Sequence, residues 1–149
     1  MKTYRGIENI EKITGKTVVT LGTFDGVHSA HRTLLERTVS KARELEASSV
    51  VITFDPHPRT FFSPDTPIRQ LSTGEEKKSL IEDCGIDILV VVAFDRDFAA
   101  MTANDFYNGI LLDRLNMCAM VVGYDHSFGR EKENAYDFLV ARGVDVERI

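Results

Sequence analysis

At 149 residues, 43% of them hydrophobic and 28% charged, the chain has the size and composition of one ordinary globular domain, with no need of disulfides or metals to hold its core. A net charge of −5 and a pI near 5.4 argue against a surface that neutralises nucleic acid, and no segment is long and apolar enough to span a membrane. The N-terminus, with Lys2, Arg5, Glu8, Glu11 and Lys12 spread through it, lacks the apolar core of a signal peptide, so a cytoplasmic protein is expected, with Cys84 and Cys118 as reduced thiols outside any zinc-like cluster.

In chain order, Thr17-Val18-Val19-Thr20-Leu21 is an apolar, β-branched run that reads as a central strand. After it, Leu34, Leu35, Thr38, Val39, Ala42 and Leu45 recur with helical spacing, which predicts an amphipathic helix from about Ser29 to Glu46. Ser49 to Phe54 reads as a second buried strand, stopped by Asp55-Pro56-His57-Pro58, and the stretch onward to Leu71 as an ordered loop. Thr73-Gly74-Glu75-Glu76 has capping-box spacing and opens a helix to about Cys84, with Gly85 as its stop. Asp87 to Phe94 is a third strand whose unbroken hydrophobicity requires cover on both faces. Thr102-Ala103-Asn104-Asp105 begins a helix through Leu115, with Phe106, Ile110, Leu111 and Leu115 inward. Cys118 to Gly123 is a fourth strand, Gly123 to Glu133 a loop, Asn134 to Arg142 a helix, and Val144 to Ile149 the start of a further strand.

Strands alternating with helices predict an α/β domain, a Rossmann-like parallel sheet with helices on both faces. In such sheets ligands lie beyond the carboxyl ends of the strands. That edge carries His28 and His31 after the first strand, His57 after the second, Asp95 after the third and Tyr124-Asp125-His126 after the fourth. His28 and His31 open a helix, where unpaired backbone N–H groups and the positive end of the macrodipole receive anionic oxygens, and their i, i+3 spacing puts both imidazoles on one face. A single His at a helix start is more often a cap or a surface residue; the pair preceded by Gly22-x-Phe24-Asp25-Gly26 reverses that balance. His57 between two prolines reads equally as a turn-holding or a functional residue, and His126 as structural or exposed. Asp25 reads either as a turn residue bonding its own backbone or as an aid to orienting His28, and Phe61 and Phe62 as core packing or, for one of them, a ligand wall.

The segment Gly22-Thr23-Phe24-Asp25-Gly26-Val27-His28-Ser29-Ala30-His31 resembles the signature of nucleotidyltransferases with an H-x-G-H motif. Thr53-Phe54-Asp55-Pro56-His57-Pro58 and Val121-Val122-Gly123-Tyr124-Asp125-x-x-Phe128-Gly129 make the chain similar to the adenylyltransferase half of bacterial FAD synthetases, the bifunctional riboflavin kinase and FMN adenylyltransferase family. The resemblance implies transfer of AMP from ATP to FMN, giving FAD and pyrophosphate, with Mg²⁺ accompanying ATP and no covalent enzyme intermediate. It implies His28 and His31 as catalytic residues on the ATP phosphates, and Gly22, Thr23, Phe24, Asp25 and Gly26 as the rest of the ATP-binding turn. For FMN it points to Asp55, Pro56, His57, Pro58, Phe62, Asp125 and Phe128, with Phe62 and Phe128 as walls against the isoalloxazine ring.

Three departures stand out: Ala30 where the family has Gly, His126 where it commonly has Phe, and Arg130-Glu131-Lys132-Glu133-Asn134-Ala135 in place of a basic, glycine-containing segment. The family's S-S-T-x-x-R-like phosphate motif and its riboflavin kinase domain belong beyond Ile149, so the expectation is one nucleotidyltransferase domain over residues 1–149, truncated at its C-terminus and impaired in turnover. The alternatives are a cytidylyltransferase acting on a phosphorylated alcohol, which Asp55-Pro56-His57-Pro58 disfavours, and a nucleotide- or flavin-binding module without turnover, which Ala30 and the missing arginine motif favour.

Overall fold

Thr17–Leu21 holds five consecutive buried residues, a pattern stable only between two neighbouring strands with cover above and below. The computed structural model, which describes residues 1–11, 13–24, 29–55, 74–124 and 126–149, sets this run as β2 in the middle of a wholly parallel sheet. Among the described residues the strands are β1 (Lys2–Arg5), β2 (Thr17–Leu21), β3 (Ser48–Phe54), β4 (Ile88–Val92), β5 (Met117–Val122), and a short antiparallel pair, β6 (Ser127–Phe128) with β7 (Glu133–Asn134), before β8 (Asp145–Arg148). The sheet runs β1-β4-β3-β2-β5-β8. From β2 the chain steps outward through β3 to β4, then crosses to the other side for β5 and β8, so the switch point of the sheet lies between β2 and β5.

The helices are α1 (Ser29–Glu44), α2 (Gly74–Asp83), α3 (Arg96–Ala99), α4 (Ala103–Asp105), which runs directly into a π-helix (Phe106–Leu112), and α5 (Ala135–Ala141). Alternate strand residues face opposite ways. Val18, Val51, Leu89 and Val121 pack under Leu34, Leu35, Val39 and Ala42 of α1 and Ile81 of α2. Val19, Val50, Ile52, Val90 and Met120 pack under Phe106, Ile110, Leu111, Phe138 and Leu139. The fold is therefore the expected one, a Rossmann-like parallel sheet with helices on both faces, and no helix among the described residues is long and apolar enough to cross a membrane.

Several boundaries differ from expectation. Helix α1 stops at Glu44, and the chain turns out through Glu46 at φ +54°. The strand expected over Asp87–Phe94 is confined to Ile88–Val92, because Asp87 is held by Ser49 in a reciprocal pair: its carboxylate accepts from the Ser49 N–H at 2.9 Å, and its N–H donates to the Ser49 hydroxyl at 3.0 Å. The loop expected over Gly123–Glu133 contains the β6–β7 hairpin, and β1 and α3 are elements the sequence pattern did not announce. Thr102 caps as expected, accepting from the Asp105 N–H at 3.1 Å, while the capping Thr73 lies outside the described residues.

Strand β8 has one neighbour in the sheet, and charge ties its other contact to α1. Arg37 forms a two-pronged pair with Glu147, through Nε and through Nη2 at 2.9 Å, and Lys41 lies 3.1 Å from Asp145 and 3.8 Å from Glu147. The Arg37 guanidinium holds the Glu147 carboxyl below its ordinary value of 4.5. A carboxylate depressed in the folded state adds stability above its unfolded value and loses that contribution as pH falls through the folded one. Thermal unfolding followed from neutral pH to below 4.5 should therefore show a falling midpoint, with a shallower fall in Glu147→Gln.

Candidate active site

Beyond β2 the backbone makes a close turn. The Gly22 N–H still pairs with the Ile52 carbonyl at 3.0 Å, and the Thr53 hydroxyl donates to the Thr23 carbonyl at 3.2 Å, so the first residues past the strand are fixed by β3. Phe24 then adopts φ +51° and buries its ring, 1% exposed, in the core under α1. A left-handed conformation costs a bulky residue energy, and burial of the ring offsets it. The same fold-back brings the Phe24 ring under Gly22, where an added Cβ would lie 3.1 Å from it, so a side chain at this position would crowd the turn. His31, half-buried in the first turn of α1, stands edge-on to Phe24 at 5.5 Å. Gly22, Thr23, Phe24 and His31 are thus gathered at the carboxyl end of β2, beside the switch point; Asp25, Gly26 and His28 lie outside the described residues. Ala30 is exposed.

Across the switch point, β5 leads into a turn closed by His126. Its Nδ1 accepts from the Gly123 N–H at 3.0 Å, and its own N–H donates to the Gly123 carbonyl at 3.3 Å, which bears out the structural reading of this histidine. Asp125 in that turn lies outside the described residues.

Next to the β2 turn opens a cavity of about 390 Å³. Leu21, the last residue of β2, forms one wall; Phe54, Phe94, Phe98, Phe106 and Phe128 supply aromatic faces, and Arg130 and Lys132 stand at the side of the β6–β7 turn. The rings are mutually locked: Phe98 contacts Phe54, Phe94 and Phe106 at 5.5, 5.3 and 6.0 Å, and Phe106 contacts Phe128 at 5.3 Å. A largely apolar cavity of this size with cations beside it suits a planar aromatic ligand bearing an anionic group. The β6–β7 turn is docked on the start of α4, where the backbone N–H groups of Glu131 itself and of Ala103 hold the Glu131 carboxyl below its usual 4.5.

Of the residues expected around a flavin, Phe128 lines this cavity. Asp55 does not; it borders a second cavity of about 380 Å³ with Arg5, Lys77 and Lys78, on the sheet face covered by α1 and α2. Pro56, His57, Pro58 and Phe62 lie outside the described residues. The walls formed by Phe54, Phe94, Phe98 and Phe106 are new to the structure; the available signal was the i, i+4 pair Phe94 and Phe98 following a strand. Both cysteines are free, and burial pushes the Cys84 thiol up.

A family model described as FAD synthetase matches residues 10–147. The chain is 36% identical over 148 residues to the bifunctional riboflavin kinase/FMN adenylyltransferase of Escherichia coli (strain K12), covering 99% of this chain and 47% of that one. It is 34% identical to the protein of the same description from Pseudomonas fluorescens, over 97% of this chain and 46% of the relative. The chain thus spans about half the length of the curated relatives it matches. Among solved structures, one described as a macrolide-efflux protein from Streptococcus pneumoniae superposes with a TM-score of 0.86 at 25% identity, over 99% of this chain and 50% of that one. A universal stress protein from Archaeoglobus fulgidus in complex with dAMP, at 16% identity and a TM-score of 0.52 over 92% of this chain and 99% of its own, shares the fold.

Proposed function

The chain belongs to the FAD synthetase family, and from that premise we propose that it is an FMN adenylyltransferase, transferring AMP from ATP to FMN. The observation that carries this reading is that two sites share the end of one strand. Leu21 closes β2 as a wall of the aromatic cavity, and the next residues, Gly22 to Phe24, form the turn beside the switch-point crevice. An isoalloxazine ring in the cavity and a nucleotide at the crevice would be neighbours.

In this reading a phosphate oxygen of FMN attacks the α-phosphorus of ATP. A new P–O–P bond forms, the bond from the α-phosphorus to the bridging oxygen breaks, and pyrophosphate leaves with its electron pair. Such transfers are driven by alignment and by donors aimed at the charge that develops on the phosphoryl oxygens. His31, at the first turn of α1, and His28 supply those donors; Gly22, Thr23 and Phe24 form the turn that the triphosphate approaches, and Asp25 and Gly26 belong to the same ATP-binding motif. Phe128 and the Phe54–Phe94–Phe98–Phe106 cluster hold the ring, and Arg130 and Lys132 draw the FMN phosphate toward the β2 side. Pro56, His57, Pro58, Phe62 and Asp125 remain flavin-side residues of this reading by their place in the motifs, while Asp55, on the other cavity, drops out of it. Mg²⁺ enters with ATP as part of the substrate; among the described residues no group of three or more His, Cys, Asp or Glu side chains is placed to hold a cation by itself.

The reading is tested by incubating the protein with FMN, ATP and Mg²⁺ and separating the flavins by chromatography. FAD is the expected product. Product formed from CTP in place of ATP would assign the crevice to a cytidylyltransferase, and tight binding of FMN and ATP without product would make the chain a binding module.

A further inference from the structure

The wall of the aromatic cavity formed by Ser127, Phe128, Gly129, Arg130 and Lys132 belongs to a short hairpin, anchored at its ends by Phe128 in the core and by Asn134, which caps α5. Its two strands are two residues long and pair in two register positions, Ser127 with Asn134 and Phe128 with Glu133. So short an antiparallel pair is not stable alone, and where its turn sits depends on what that turn is fastened to. The fastening is at the start of α4. The Arg130 N–H donates to the Met101 carbonyl at 2.8 Å, and Gly129, at φ +81°, packs so closely that an added Cβ would lie 2.4 Å from the Ala103 nitrogen. Glu131 adds a side-chain contact to this fastening: its Oε1 accepts the Ala103 N–H at 2.9 Å. That N–H is among the first of its helix and has no acceptor within it. Thr102, the cap, is engaged with Asp105, so Glu131 supplies from the adjoining turn what the local sequence does not. Phe128, three residues before Glu131, packs on Phe106 and on Phe138 at 5.3 and 5.2 Å, so a shift of the turn displaces the ring that faces the cavity.

We propose that Glu131 is a positioning residue for flavin binding: by accepting the Ala103 N–H it sets the hairpin wall at the width that admits a planar tricyclic ring, and so fixes affinity for FMN without touching it. The proposal rests on the reading that the aromatic cavity takes the flavin of FMN. Glu131 is exposed, is not one of the cavity-lining residues, and bonds to Ala103 and not to the Gly22–Phe24 turn, so its effect should be confined to one substrate.

The test is titration of FMN, read by quenching of flavin fluorescence, and of ATP, read by calorimetry, with the wild-type protein, Glu131→Ala and Glu131→Gln. Loss of a hydrogen bond to a charged group predicts about a tenfold rise in the FMN dissociation constant for Glu131→Ala, with ATP affinity unchanged. Glu131→Gln, which keeps an acceptor of the same reach, should recover most of the loss. Equal FMN affinity in all three proteins, or an equal loss toward FMN and ATP in Glu131→Ala, overturns the role of Glu131 while leaving the flavin site standing. Wild-type protein that binds ATP but no FMN overturns the flavin site itself, and this proposal with it.

Discussion

Replacement of His31 by alanine is expected to lower the rate of FAD formation about 10²–10³-fold, the usual consequence of removing one donor from developing phosphoryl charge. The side chain occupies the first turn of α1, directly beyond the end of β2, where the helix leaves backbone N–H groups free for anionic oxygens. Its ring lies edge-on to Phe24 at 5.5 Å, and that contact fixes its plane against a residue that is itself immobilised by burial. The stability cost should be much smaller than the catalytic one, about 0.5–1.5 kcal/mol for an edge-to-face aromatic pair. Thermal unfolding of the variant therefore separates the two effects. A kcat within a few-fold of wild type in a folded His31→Ala protein would remove this residue from the chemistry. His28→Ala is expected to act in the same direction.

Gly129→Ala is expected to destabilise the fold by about 2–4 kcal/mol and to abolish measurable FMN binding. Two costs coincide at this position. The backbone sits at φ +81°, where an L side chain is strained, and the new methyl group would lie 2.4 Å from the Ala103 nitrogen and 2.6 Å from its Cα, atoms of a helix start that cannot give way like the end of a flexible side chain. The hairpin must lift off α4, and Phe128 leaves Phe106 with it. Denaturant unfolding measures the first effect and flavin fluorescence the second. A variant that unfolds at the wild-type midpoint and binds FMN normally would mean that the turn is not seated as described.

Strands β2 to β5 were legible because each is a continuous apolar run, and a run covered on both faces needs no pattern beyond its hydrophobicity. Strand β1, Lys2-Thr3-Tyr4-Arg5, escaped for the opposite reason: it has one neighbour, β4, and buries one side chain, Tyr4, so charged residues at both ends mask it. Helix α3 is four residues long, too short for any periodicity, and is recognisable by Asp95 accepting from the Phe98 N–H at 2.9 Å. The π-helix over Phe106–Leu112 kept the apolar spacing of the expected α-helix, and a change in hydrogen-bond register leaves no mark on composition.

The β2 turn and the start of α1 were legible as a local motif, since Gly22, Phe24 and His31 lie within ten residues. The aromatic cavity was legible only at Phe128, because Leu21, Phe54, Phe94, Phe106 and Phe128 come from five separate segments and meet only once the sheet order is known. Glu131 illustrates the same limit. In the sequence it is one acidic residue in a charged stretch; in the fold it is the acceptor for Ala103, a residue 28 positions away.

The central claim, that AMP passes from ATP to FMN at the carboxyl edge of this sheet, is tested most directly by isotope position. ATP labelled at the α-phosphorus, supplied with FMN and Mg²⁺, should place its label in FAD, while label at the γ-phosphorus should appear in pyrophosphate. Label from the γ-position in the flavin product, or α-label found only in unreacted ATP when FMN is bound, would contradict the account.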